Sequence, residues 1–353
     1  MCGGSREECR TLTVQLGHNT RRVLEGGAGT VWAVAFHPDG KHFFDGTRNG
    51  IRRWRLADGQ ELKKQTGMDL NTISTSRDQK WVACGTTGGA SVWDVELREK
   101  VVEVESGETV YSVDVAPDCT RFATGTYDGK ASIWNIATGE RLVGPLEHGG
   151  AVRGVKFSAD GRIATACHDG AIRIFDSHNG DQLISIKNPM DAFNPLTPIT
   201  WSVDSQQLFA TSKGNKLKLF DSSTGSQLAE WKIHKNDNPE SISIALAPNN
   251  RFIASSAGRF VSFWDTSTQA QVGIVEDIQK IRSVALSPDG NRLVTGSDDS
   301  GRLIIWDLRG ILPDSYLPIN VSTRSSHLEN TIYSSISFSA HGTSLFDLTP
   351  ARM

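Results

Sequence analysis

The chain has 353 residues, of which 22% are charged and 38% hydrophobic, and a formal net charge of −3; this is the make-up of a folded globular protein and not of a disordered one. So small a negative charge gives no general electrostatic drive toward nucleic acid or an anionic membrane, and no run approaches the roughly 18 apolar residues that span a bilayer. The five cysteines, Cys2, Cys9, Cys84, Cys119 and Cys167, are odd in number, scattered and without a Cys-x-x-Cys pair, which points to reduced thiols in a cytoplasmic or nuclear protein and to no metal site.

In chain order, the opening MCGGSREECR lacks the apolar core of a secretory signal and the Met-Gly start of a myristoylation site. CRTLTVQLG from Cys9 alternates as a strand does, and RRVLEGG from Arg21 reads as a second strand leading into TVWAVAF. A unit then begins that recurs to the end of the central region. Its marker is Trp-Asp or a variant, at Trp54-Arg55, Trp93-Asp94, Trp134-Asn135, Phe175-Asp176, Phe220-Asp221, Trp264-Asp265 and Trp306-Asp307, with spacings of 39, 41, 41, 45, 44 and 42 residues. Seven markers at so regular a period define an internal repeat.

Each unit carries three turns. HPDGKHF at His37, APDCTRF at Ala116, SADGRIA at Ser158, APNNRFI at Ala247 and SPDGNRL at Ser287 fill the first slot, where Pro fixes φ and Asp-Gly supplies a tight reversal. RNG at Arg48, YDG at Tyr127 and HDG at His168 fill the second, and NIATG at Asn135, DSHNG at Asp176 and DSSTG at Asp221 the third. Three turns join four strands. Between turns the residues alternate with a period of two, as in Val34 and Phe36, Val113 and Val115, or Val284 and Leu286. Both strand faces need cover, a demand that radially stacked four-stranded sheets meet while leaving only short edges.

These units resemble WD40 repeats, and the whole is similar to a WD40 β-propeller over about residues 20–312. The resemblance implies an all-β disc of four-stranded antiparallel blades around a central channel. It also implies structural roles for Trp54, Trp93, Trp134, Trp264 and Trp306, for His148, and for the turn aspartates Asp128, Asp169 and Asp299. The family's His–Ser/Thr–Asp–Trp network survives only in fragments. Unit four has His148 and Asp169 but Cys167 and Phe175 in the Ser and Trp slots; unit three has Thr126, Asp128 and Trp134 without the His; the last unit has Ser297, Asp299 and Trp306, also without it. Half-satisfied buried networks are costly, so apolar packing is expected to carry these blades.

Ring closure admits two readings. In the first, seven blades close with the strand at Arg21 as the outermost strand of the last blade, residues 1–19 form an N-terminal extension, and residues 313–353 form a C-terminal tail. In the second, SSISFSAHGTSLF from Ser334, which follows the pattern of RSVALSPDGNRLV from Arg282, joins the strands at Cys9 and Arg21 in an eighth blade built from both chain ends. Against the eighth stand its poor Trp slot and the long connection before it.

No phosphate-loop, His-Glu-x-x-His or Gly-x-Ser-x-Gly pattern occurs. SRDQKW at Ser76 resembles an Asp-box but sits in a turn slot, and no cluster of carboxylates or histidines recurs at equivalent positions, so neither catalysis nor a cofactor is expected. The function expected is a protein–protein interaction scaffold. Two positions per unit would ring one mouth of the channel: Trp32, Tyr111, Arg153 and Arg282 near the start of the innermost strand, and Arg48, Tyr127, His168, Lys213 and Asp298 beside the second turn. Trp, Tyr and Arg dominate binding hot spots and Arg grips carboxylate or phosphate bidentately, so an acidic or phosphorylated peptide is the partner class this set suggests. The alternatives are a lactonase- or glycosidase-type propeller enzyme, which needs converging acids in the channel, and a nucleic-acid-binding module, against which the charge argues.

Overall fold

The computed structural model describes residues 21–26, 29–189, 199–233 and 242–318, together with the backbone of 11–16 and 19–20. It is an all-β propeller of seven antiparallel blades. Blade 1 shows the plan: Val31–Phe36 innermost, then His42–Thr47, Gly50–Arg55 and Glu61–Thr66 outermost. Blades 2 to 6 repeat it over 70–105, 110–147, 152–187, 199–232 and 244–276. Blade 7 takes three strands from 281–307 and its fourth from the N-terminus.

That fourth strand, β2 (Asn19–Glu25), pairs with Arg302–Asp307 from Arg21↔Trp306 to Glu25↔Arg302. β1 (Thr11–Leu16) pairs in turn with β2, from Thr11↔Leu24 to Leu16↔Asn19, as a fifth strand of the same sheet. The structure therefore decides for seven blades. The eight-blade alternative fails because β2 lies on blade 7 itself, and β1, joined to β2 by only two residues, takes the free edge its hairpin partner offers. The segment from Ser334 lies outside the described residues.

The core is seven cores, each between two neighbouring blades. Phe44 and Ile51 of blade 1 meet Leu70, Ile73 and Val82 of blade 2; Leu24 of β2 and Val294 of blade 7 meet Val31, Phe43 and Trp54 of blade 1. Inner strands are therefore buried on both faces, as in blade 4 where Arg162–Cys167 reads intermediate and then fully buried, while the outermost Gln182–Lys187 is mostly exposed. This is why the repeats read as near-continuous apolar runs in their second and third strands.

Turn chemistry fits the blades together. In the first turn Asp39, Asp118 and Asp289 accept the amide two residues on, and Ser76, Ser158, Ser202 and Ser287 donate their hydroxyls to the turn aspartate of the same hairpin. The third-turn glycine has a second duty. Gly59 holds φ +72° and Gly139 φ +73°, and a Cβ there would strike Leu24 and Val102 on the outermost strand of the preceding blade. Hydroxyls also join the innermost strands: Ser112 Oγ accepts Val155 N at 3.0 Å, and Ser283 Oγ accepts Val34 N at 2.9 Å across the 7–1 junction. Such bonds satisfy backbone groups along the channel edge of each sheet, which has no ladder partner. After blade 7 the chain stays packed, with Leu308, Leu312 and Leu317 in the core shared by blades 6 and 7 and Tyr316 Oη donating to Asp265 at 2.7 Å.

Candidate functional site

The tryptophan slot shows what the repeat residues do. Trp134 Nε1 donates to Thr124 Oγ1 at 2.9 Å, Trp264 to Ser255 at 3.0 Å and Trp306 to Thr295 at 3.2 Å. These partners stand two residues before Thr126 and Ser297, the positions expected from sequence. The reason is register: Phe122 lies opposite Trp134, so the indole reaches the diagonal neighbour on the same sheet face. Thr126 instead donates to Asp128 at 2.5 Å within the second turn. In blade 4, His148 Nε2 sits 2.8 Å from Thr165 Oγ1, not against Cys167, and its ring meets Phe175 edge-on. Burial pulls the His148 imidazole below its usual range. Asp169 pairs with Arg173 at 2.7 Å; Asp299 is exposed and makes no such contact among the described residues. Trp93 bonds Ser91 on its own strand at 3.0 Å.

Blade 1 departs furthest. Asp45 stands where Thr124 and Thr295 stand, fully buried, and accepts Trp54 Nε1 at 2.6 Å. A buried carboxylate needs a counter-charge, and Arg52 supplies it through Nε at 3.0 Å while its Nη1 reaches Gly26 O. No signal in the repeat pattern announces this pair. In the same blade His37 replaces the turn serine, and its Nδ1 lies 2.9 Å from Asp39; His42 Nδ1 lies 2.6 Å from the other carboxylate oxygen. The three could ligate a cation by distance, but Asp39 occupies the slot of the hairpin aspartates of the other blades, so the hairpin accounts for the cluster.

The nine residues expected at the channel mouth separate into two groups and two outliers. At the 7–1 junction, the Arg282 guanidinium lies over Trp32 at 4.2 Å and Arg48 lies 5.4 Å from the same ring. Arg282 approaches Asp298 at 3.5 Å, and Arg48 approaches Asp69 at 3.8 Å. In blades 3 and 4, Arg153 stacks over Tyr111 at 3.6 Å, and Tyr111 meets Tyr127, 57% exposed, at 6.0 Å. Burial pulls the Arg282 guanidinium below its usual range, and the Asp298 carboxylate opposes this. His168 and Lys213 lie on the second turns of blades 4 and 5. Trp32 Nε1 is buried with no hydrogen-bond partner among the described residues. Sequence reasoning missed Asp69, which no turn pattern marks.

On the described innermost strands Asp114 is the one carboxylate. It accepts Lys156 Nζ at 2.7 Å, Phe157 N at 2.9 Å and Ser74 Oγ at 3.1 Å, which ties blades 2, 3 and 4 together. No helix of the described residues is long and apolar enough to cross a membrane.

Seven antiparallel blades, each sharing a core with its neighbours, define a seven-bladed β-propeller of the repeat type. Comparison with known proteins makes this specific. Residues 78–310 match the family model described as outer membrane protein assembly factor BamB, and residues 18–54 match that of the WD domain, G-beta repeat. The chain belongs to the family whose model spans residues 78–310, and it is a WD40-repeat β-propeller. It is 27% identical over 260 residues to periodic tryptophan protein 2 of Arabidopsis thaliana, covering 69% of this chain and 27% of that one. It is 24% identical over 234 residues to eukaryotic translation initiation factor 3 subunit I of Candida albicans, covering 60% and 67%. With WD repeat-containing protein SL1-17 of Schistosoma mansoni the identity is 34% over 141 residues, covering 38% and 46%. The chain thus spans about a quarter of the first of these relatives, two thirds of the second and under half of the third.

Proposed function

We propose that the protein is a non-catalytic interaction scaffold, and that the mouth bearing Trp32, Arg48, Tyr111, Tyr127, Arg153 and Arg282 takes an acidic or phosphorylated peptide segment. The observation that carries this reading is that Arg48 and Arg282 lie over Trp32 and Arg153 lies over Tyr111. A guanidinium over a ring suits a carboxylate or phosphate while the ring supplies apolar contact, and the approaches of Arg282 to Asp298 and of Arg48 to Asp69 show carboxylates already at these cations. Several relatives bear the names of WD-repeat proteins, and one is a translation initiation factor subunit, which supports an assembly role and a place in cytoplasm or nucleus. A channel enzyme is disfavoured because Asp114 is engaged three ways.

The test is affinity purification with mass spectrometry of the intact chain against Arg153→Glu/Arg282→Glu. Loss of acidic or phosphorylated partners is expected. Arg282 is 7% exposed, so a second pair, Arg48→Glu/Arg153→Glu, replaces it with Arg48, whose side chain is 71% exposed, and the folding of both variants is checked by circular dichroism. Retention of every partner by both folded variants means the mouth is the wrong surface.

A further inference from the structure

A cleft lies on the opposite end of the disc, where blade 7 meets blade 1. It encloses about 390 Å³, within the range of small-molecule sites. Four permanent cations line it, Arg22 of β2, Lys41 of the first turn and Arg55 at the end of the third strand of blade 1, and Arg292 of blade 7, and no carboxylate does. Leu56 and Ile305 give it apolar walls.

The surrounding acids leave cationic charge over. Arg292 approaches Asp307 only at 3.4 Å, and Arg309 holds the same carboxylate oxygen at 2.6 Å. Arg55 approaches Asp58 at 3.4 Å. Arg22 spends its Nη1 on the carbonyls of Leu56 and Ala57, which fixes it against blade 1. The Lys41 ammonium, on an exposed residue, meets no carboxylate among the described residues. Like charges converging on one half-buried space repel unless an anion sits between them, and guanidinium pairs suit a phosphoryl group.

We propose that this cleft binds a phosphate monoester with a small apolar body: the phosphoryl oxygens between Lys41, Arg55 and Arg292, the body against Leu56 and Ile305. Because Arg22 belongs to the N-terminal strand, the ligand bridges the closure of the ring. It stabilises the propeller by mass action, since only the closed ring brings β2, blade 1 and blade 7 together.

Calorimetry and thermal melts of the full chain, at constant ionic strength, compare phenyl phosphate, inorganic phosphate, phenol and a neutral phosphoserine pentapeptide. Saturable binding of phenyl phosphate with a rise in Tm is expected, weaker binding of inorganic phosphate, and none of phenol. Hydrogen exchange in β2 is expected to slow with the ligand. Lys41→Glu changes an exposed side chain without a partner to lose, and Arg55→Ala/Arg292→Ala removes two cations; each is expected to weaken binding about tenfold or more. Binding that is undiminished in both variants, no saturable binding of phenyl phosphate, or binding of the phosphopeptide alone overturns the proposal. The mouth variants Arg48→Glu/Arg153→Glu are expected to bind phenyl phosphate normally, which keeps this result separate from the scaffold reading.

Discussion

At the scale of single residues, one slot on the second strand shows how a repeat tolerates different chemistry. Thr124, Ser255 and Thr295 each offer one neutral oxygen to an indole N–H. Asp45 offers a charge, and blade 1 answers with Arg52, 3% exposed. Breaking such a pair leaves the other ion stranded, at about 3–5 kcal/mol. Asp45→Ala is therefore expected to destabilise the protein by about that much in urea denaturation, while Thr295→Val costs about 1 kcal/mol. Equal, small effects from the two would mean that the Asp45–Arg52 pair is not a structural keystone of blade 1. The Trp slots were legible in the sequence because they recur. Their partners were misplaced by two residues, since a period-two strand offers the same face at both positions and only the register selects one.

At the scale of elements, the N-terminal strand β2 is the closure. Leu24 is fully buried between blades 7 and 1, and Gly59 of blade 1 packs on it. Leu24→Ala is expected to cost about 2–5 kcal/mol, read from the urea midpoint. Among the described residues, removal of 1–17 takes away β1 alone, whose partner β2 keeps its ladder to Arg302–Asp307, so the truncated chain is expected to melt within a few degrees of the full one. A collapse on losing β1 would show that the fifth strand, and not β2, holds the ring. The clasp at Arg21 was readable from its position before unit one. The use made of the strand at Cys9 was not, because alternation marks a strand without naming its neighbour.

At the scale of the whole molecule, hairpin aspartates around the disc set its behaviour in acid. For Asp39 burial pushes the carboxyl up, but the Lys41 amide and the His42 and His37 rings outweigh this and hold it at about 2. In Asp78, Asp118, Asp160 and Asp289 burial is likewise outweighed by the hydrogen bonds of the turn, and each lies below the usual carboxylate range. Groups depressed in the folded state give stability that is fully present above their unfolded values, near pH 4, and lost as pH falls through the folded ones. Burial raises Glu61 and Asp277, which act in the opposite sense, but among the described residues they are two against thirteen lowered carboxyls. The urea midpoint is expected to hold above pH 5 and fall steeply from about pH 4 toward pH 2. A midpoint flat across that window would mean the turn bonds survive protonation.

The period, the turns and the strands between them were present in the sequence, because turn chemistry and alternation are local and a repeat states them many times over; the closed propeller was an expectation that the WD40 resemblance supplied. Even the candidate mouth could be drawn up from equivalent positions. Only the tertiary structure decided that Arg282 lies on Trp32, that Arg153 lies on Tyr111, that Asp45 carries Arg52, and that four cations line the seam of blades 7 and 1. Arg22 and Arg292 are 270 positions apart in the chain, and nothing local relates them. They meet because the ring closes with its first strand in its last blade.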